Sequence, residues 1–273
     1  MSLNKTIKKG NHRNMTLFNL QGKTALITGA SSGLGERFSC VLSEAGAKVI
    51  LVARRTDLIE ELSEKIIKKG GKAIPLPLDV TDKDAVKKGV DELTARGEKI
   101  DILINNAGIA RITPVFEDKD THDFEDIINT NLLGVWYCTK MVANHMKQLG
   151  ISGSVVNIAS VYGLDKLEPK QTAYCASKAA VVQMTKALVG ELSQHNIRIN
   201  CIAPGYFLTS MVPPWVRQMH EKGEIDTLIP QKYLAESPDL DGALLLLASN
   251  AASRYITGSC LVVDGGLSWG GGV

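Results

Sequence analysis

The sequence predicts an α/β protein, a doubly wound parallel sheet with helices on both faces, and three observations carry that expectation. Short, near-continuous apolar runs alternate with longer amphipathic stretches along the chain, as strands buried on both faces by crossover helices require. A glycine-rich turn, residues 28–35, follows the first apolar run. No linker-like stretch divides the 273 residues, so one domain over 15–273 is expected, with seven strands and right-handed crossovers.

The elements follow in order. Residues 24–28 read as a buried strand and 34–45 as a helix ended by Gly46. The run Lys-Val-Ile-Leu-Val-Ala at 48–53 is the second strand, and 57–69 a polar-faced helix stopped by Gly70 and Gly71. Strand 74–78 carries Pro75 and Pro77, which belong at a sheet edge because proline cannot donate to a ladder. A helix over 83–95 and a strand over 102–104 complete the first half. The second half has one long helix over 124–149, a strand at 155–159, a helix at 174–194 and a strand at 197–202. A mixed insertion, a helix at 239–248 and a last strand at 259–263 follow.

Composition excludes several classes. At 44% hydrophobic and 22% charged, the chain matches globular proteins rather than disordered ones. No apolar run approaches the ~18 residues of a membrane helix. The net charge of +2 is too small to advertise nucleic acid. It also belongs to a polar tail, 1–14, which holds Lys5, Lys8, Lys9, Arg13 and no acid. We expect that tail to be flexible, with Met15 an alternative start. Cys40, Cys138, Cys175, Cys201 and Cys260 are odd in number and never spaced C-x-x-C, which suggests free thiols in the cytoplasm. The five histidines share no metal-ligand spacing, so no metal is expected and surface or helix-end roles are assigned to them.

The glycine-rich turn sits between a strand and a helix, the context in which backbone and helix dipole bind a pyrophosphate. A nicotinamide cofactor also needs a reader of its adenosine ribose at the end of the second strand. A carboxylate there would bind the free hydroxyl of NAD, but this chain has Ala53-Arg54-Arg55, with no acid before Asp57. Two guanidinium groups suit the 2′-phosphate of NADP(H), and NAD is the lesser expectation. Arg54, which directly follows the position an acid would take, is the expected discriminator; a solvated basic turn is the alternative.

Four motifs then occur together: Thr28-Gly-Ala-Ser-Ser-Gly-Leu-Gly35, Asn105-Asn-Ala-Gly108, Tyr174-x-x-x-Lys178, and Pro204-Gly205 with Thr209. In this order they resemble the short-chain dehydrogenase/reductase family over residues 17–266. The resemblance implies a Rossmann-type fold with Gly29, Ser31, Ser32, Gly33, Leu34 and Gly35 at the cofactor phosphates. It implies that Asp79 and Val80 flank the adenine, that Asn105, Ala107 and Gly108 line the cleft, and that Pro204, Gly205 and Thr209 meet the nicotinamide end.

Tyr174 and Lys178, four apart on a helix, share one face. An ammonium at ~4 Å stabilises a phenolate by about 1–4 kcal/mol, depending on dielectric, enough to draw the tyrosine towards physiological pH. Tyr174 is therefore the expected general acid/base, with Lys178 its modulator and grip on the nicotinamide ribose. Ser160, at the end of a strand, would hydrogen-bond the substrate oxygen. Asn131 matches the family position that holds a water in the proton relay.

The function these residues imply is interconversion of a ketone and a secondary alcohol by NADP(H). The chain is similar overall to 3-oxoacyl-carrier-protein reductases, while Ser160-Val-Tyr-Gly163 and Pro204-Gly-Tyr-Phe-Leu-Thr209 also resemble keto-gluconate reductases. A non-catalytic cofactor-sensing module is the alternative outside enzymology. The insertion at 205–237 is too apolar at 206–215 for a plain surface loop, and we expect a substrate lid. The resemblance also implies a homotetramer, while the small net charge and the short apolar runs predict no nucleic-acid or membrane partner.

Overall fold

The computed structural model describes residues 17–116 and 122–270. The basic tail and Met15 lie outside the described residues. Its seven strands are β1 (Thr24–Thr28), β2 (Lys48–Ala53), β3 (Lys72–Pro77), β4 (Ile102–Asn105), β5 (Ser154–Ile158), β6 (Arg198–Pro204) and β7 (Cys260–Val263). They form one sheet in the order β3-β2-β1-β4-β5-β6-β7, and every pair is parallel. Leu26 of β1 stands opposite Ile50 of β2 and Leu103 of β4, which sets the register at the centre. The proline-bearing β3 is at the edge.

Helices cover both faces. On one, Phe38 and Leu42 of α1 (Gly33–Glu44) and Leu62 of α2 (Thr56–Lys68) pack with the late helix described below. On the other, Val90 and Leu93 of α3 (Lys83–Ala95) meet a helix that follows β4. Each such fully buried side chain contributes about 1.5–3 kcal/mol of transfer free energy.

The expected long helix over 124–149 is helical throughout but not uniform. It comprises α4 (Asp123–Ile128), a π turn (Asn129–Leu133) and α5 (Gly134–Gln148). The π turn admits an extra residue into the helical repeat and so redirects the side chains around it; Asn131 lies within it. The helix expected over 174–194 is corrected to α6 (Thr172–Ala187) and α7 (Val189–Ser193). The break falls at Leu188, where ψ closes to −8° and Leu188 and Val189 turn onto the core.

Residues 205–237 have a small core of their own. Phe207 bridges to Ala235, α8 (Pro214–Glu221) begins at a proline, and Tyr206, Val212, Val216, Ile225 and Ile229 cluster with Leu267. α9 (Asp241–Ala248) and α10 (Asn250–Ser253) then lead to β7. Leu244 and Leu247 of α9 complete the first face.

His145, assigned a surface or helix-end role, is in the last turn of α5 but buried. Its Nδ1 contacts Thr94 Oγ1 at 2.8 Å, and its Nε2 accepts from the Ile100 backbone N–H at 3.0 Å. Burial lowers its pKa.

The winding reverses between β1 and β4. The connections following these adjacent strands leave in opposite directions, which opens a crevice at their carboxyl ends. Among the described residues, no helix is long and apolar enough to cross a membrane, and no cluster of potential ligands could hold a metal.

Candidate active site

A cleft of about 420 Å³ occupies that crevice. Its floor is the glycine-rich turn. Gly29 and Gly33 have φ of +67° and +58°, which only glycine adopts cheaply. A Cβ on Gly35 would lie 2.1 Å from the Gly29 carbonyl oxygen. Gly35 therefore lets α1 approach β1 closely and is absent from the cleft lining. Gly29, Ser31, Ser32, Gly33 and Leu34 line it.

The turn is braced from β4. Thr28 Oγ1 accepts from the backbone N–H groups of Asn106 and Ala107, both at 3.0 Å. The Asn106 amide donates back to the Thr28 carbonyl at 3.0 Å. Asn105, expected in the cleft, is a correction. Its side chain is buried beneath the floor, where the amide donates to Thr139 Oγ1 and Asn157 Oδ1. The strand ends at Asn105, and the turn that follows carries Asn106, Ala107 and Gly108 along the opening instead. Asn106 was missed by sequence reasoning, although its place in the Asn-Asn-Ala-Gly turn was the available signal.

At the far end of β2 the two arginines divide. Arg55 reaches the turn, donating from Nη2 to Ser31 Oγ at 2.8 Å and Ser32 Oγ at 2.7 Å. Arg54 lies 3.7 Å from Asp79 Oδ2 and is 70% exposed. Asp79 is itself held by accepting from the backbone and hydroxyl of Thr81. Arg54, Arg55, Asp79 and Val80 all line the cleft.

The other end gathers Ser160, Tyr174 and Lys178. Ser160 follows β5, and its Oγ accepts from the Tyr162 backbone N–H at 3.2 Å. The Ser160 hydroxyl is close enough to the Tyr174 phenol to favour its ionised form. The thirteen residues between them close as a short 3-10 turn (Val161–Gly163) and a loop into α6. Lys178 is buried; its Nζ donates to the Ile158 carbonyl at 2.8 Å and sits 5.7 Å from the Tyr174 ring centre.

This geometry corrects the expected titration. Lys178 aims at a backbone carbonyl rather than at the phenolic oxygen. Desolvation pushes the Tyr174 phenol up, and the neighbouring Ser160 hydroxyl offsets that in part. Desolvation also pushes Lys178 down to about 8. At neutral pH the phenol keeps its proton, the state in which it can act as an acid.

Asn131 is fully buried and does not line the cleft. Its amide spans the Ile109 backbone, accepting from its N–H at 2.8 Å and donating to its carbonyl at 2.9 Å, and it also donates to Ser177 Oγ at 3.2 Å. It thereby fixes the chain after β4 against α6, with its Oδ1 3.3 Å from where a Gly108 Cβ would stand. Pro204, Gly205 and Thr209 close the cleft from the β6 side, where a Cβ on Gly205 would strike Asp264. Tyr162, Gln171, Tyr206, Met211 and Pro213 also line it. Reasoning on motifs did not assign Tyr162 or Gln171 a place there.

Comparison with known proteins agrees with this architecture. The family model described as short chain dehydrogenase matches residues 23–220. The chain is 38% identical over 255 residues to 3-oxoacyl-acyl-carrier-protein reductase of Thermotoga maritima, covering 91% of this chain and 98% of that one. It is 36% identical over 252 residues to gluconate 5-dehydrogenase of Gluconobacter oxydans, covering 92% and 97%. Among solved structures, gluconate 5-dehydrogenase of Burkholderia cenocepacia, in complex with NADP and tartrate, superposes with a TM-score of 0.85 at 34% identity, covering 93% of this chain and 98% of that one. The motifs, the sheet order and these likenesses agree: the chain belongs to the short-chain dehydrogenase/reductase family, whose members are oxidoreductases acting on CH–OH groups.

Proposed function

We propose that this protein is an NADP(H)-dependent reductase of ketones to secondary alcohols, closest in chemistry to 3-oxoacyl-carrier-protein reduction. The observation that carries the reading is the convergence of Ser160, Tyr174 and Lys178 beside a glycine cradle whose far end bears Arg54 and Arg55. The cradle fits a dinucleotide: it is free of Cβ atoms at Gly29 and Gly33, and Arg55 overhangs it.

We assign Gly29, Ser31, Ser32, Gly33 and Leu34 to the pyrophosphate, with Gly35 supporting them through helix packing. Arg54 and Arg55 take the 2′-phosphate, and Asp79 and Val80 the adenine. Ala107, Gly108, Pro204, Gly205 and Thr209 take the nicotinamide half, and Lys178 the ribose beside it. The chemistry supplied by the cofactor when bound is hydride transfer to the carbonyl carbon. Ser160 donates to the carbonyl oxygen as charge develops there. Tyr174 delivers its proton to the same oxygen, and cationic Lys178 favours the phenolate left behind. Asn131 positions the Ile109 segment and, through it, the wall around Lys178.

Residues 205–237 serve as the substrate lid. A homotetramer in the cytoplasm completes the reading. Tyr255 and Trp269, on either side of β7, are 99% and 82% exposed, apolar surface that a subunit contact would cover. The five free cysteines suit a reducing compartment. Sedimentation giving a species near 29.5 kDa would exclude the tetramer.

Keto-sugar acids are the second substrate reading, because gluconate 5-dehydrogenase is nearly as similar as the acyl reductase. Initial rates with NADPH and NADH on 3-oxoacyl thioesters and keto-gluconates test both. Faster NADPH-linked turnover of the thioesters is expected. Preference for keto-gluconates would move the assignment to the second reading.

A further inference from the structure

Behind the substrate end of the cleft lies a cluster centred on Glu168, a residue outside every motif. Glu168 Oε2 accepts from the Tyr162 hydroxyl at 2.8 Å and from the Tyr206 hydroxyl at 3.2 Å. Its Oε1 accepts from Trp215 Nε1 at 3.3 Å. The two phenol oxygens are also in contact, and with one proton each they share two hydrogen bonds among these three contacts. Tyr206 stacks edge-on against Tyr162 and Trp215, with ring centres 6.0 and 5.7 Å apart. One carboxylate thus joins the loop after β5 to the insertion after β6.

Both phenols line the cleft, and Tyr162 is two residues from Ser160. Glu168 therefore stands one ring behind the wall that a substrate meets. Its three donors are neutral, so they disperse the carboxylate charge without cancelling it. Among the described lining residues, the cations are Arg54 and Arg55, at the adenosine end, and Lys178. A ketone carrying its own carboxylate near the carbonyl would bring a second negative charge towards Glu168. Like charges that approach in a partly desolvated site repel strongly.

We propose that Glu168 is a specificity-determining positioning residue: it fixes Tyr162 and Tyr206, with Trp215 packed behind them, as the far wall of the substrate site and selects neutral ketones, such as 3-oxo esters and thioesters, over ketones bearing a nearby carboxylate. This inference rests on the proposed reductase activity and deepens it. It gives a physical reason for the acyl reading over the sugar-acid one.

The test uses a matched pair, ethyl 3-oxobutanoate and 3-oxobutanoate, with NADPH. The corresponding hydroxy ester and hydroxy acid are titrated onto the NADP-bound protein, a measurement that needs no turnover. The wild type is expected to favour the neutral partner at least about tenfold in kcat/KM and in affinity. Glu168→Gln keeps an acceptor but removes the charge, and is expected to bring both ratios within about threefold by gaining on the acids, with the KM for NADPH unchanged. Tyr162→Phe removes one donor and keeps the charge, so its ratios should stay at or above the wild-type values. A purely structural role would instead weaken both members of each pair alike in both variants. No preference in the wild type, or ratios unmoved by Glu168→Gln, overturns the proposal. Intact selective binding without turnover of any ketone would overturn the reductase reading and leave the selectivity standing.

Discussion

The two ends of the cleft are built on different principles. The end proposed for the adenosine and phosphates is backbone and short-range geometry: two glycines at positive φ, a helix start, and arginines adjacent in sequence. The substrate end is side chains brought together from far apart, with Glu168 bonding partners 6, 38 and 47 residues away. The first kind tolerates little change because backbone cannot yield. The second can be retuned one side chain at a time, which suits a scaffold that keeps one cofactor and varies its substrates.

The sharpest break of that contrast is Gly35→Ala. The added Cβ would meet the Gly29 carbonyl at 2.1 Å, so helix and strand must separate. We expect a loss of about 2–4 kcal/mol in denaturant unfolding and loss of NADPH binding. A stable, cofactor-binding variant would show that the cradle yields. Next in size, Arg55→Ala should weaken NADPH about 10- to 100-fold and leave NADH nearly unchanged, since a charge-assisted hydrogen bond contributes about 1.5–3 kcal/mol. Arg54→Ala should follow the same direction with a smaller effect, because Arg54 is solvent-exposed and turned to Asp79. Equal losses for both cofactors, measured by fluorescence titration, would remove the arginines from cofactor choice.

At the substrate end, Trp215→Ala should raise the ketone KM several-fold with little effect on NADPH. Amides within 206–236 should exchange more slowly once NADPH and a turned-over ketone are present. Unchanged exchange together with unchanged kinetics would make the insertion a fixed flap. The smallest effect expected is away from the cleft, at His145. Burial holds its native pKa below the unfolded value, so the unfolded chain binds the extra proton first. Stability should therefore fall as pH drops below about 6.5, the unfolded histidine value. A melting temperature that stays flat from pH 7 to 5.5 would contradict this.

Much of the fold was legible in the sequence because parallel strands are apolar on both faces and glycines punctuate them, as at 28–35 and 70–71. The edge position of β3 followed from Pro75 and Pro77. The π turn at Asn129–Leu133 was not legible, since one extra residue in a helix leaves the apolar pattern nearly intact. Within the site, the Tyr174–Lys178 spacing placed both side chains on one face, but not the direction in which Lys178 points, which depends on the Ile158 carbonyl. For the same reason the sequence pointed to Arg54 as the discriminator from its position alone, whereas side-chain direction sets Arg55 over the turn and turns Arg54 to Asp79. Glu168 was invisible because two of its three partners, Tyr206 and Trp215, lie on the insertion after β6 and no periodicity links them.

In the proposed reaction Tyr174, beside Ser160, is the proton donor to a ketone. The most direct test of that role is the rate of NADPH oxidation with an acetoacetyl thioester, compared between the wild type and Tyr174→Phe. We predict a fall in kcat of about 10²- to 10⁴-fold in the variant, with NADPH affinity and melting temperature preserved. A variant that turns over within a few-fold of the wild type would contradict it.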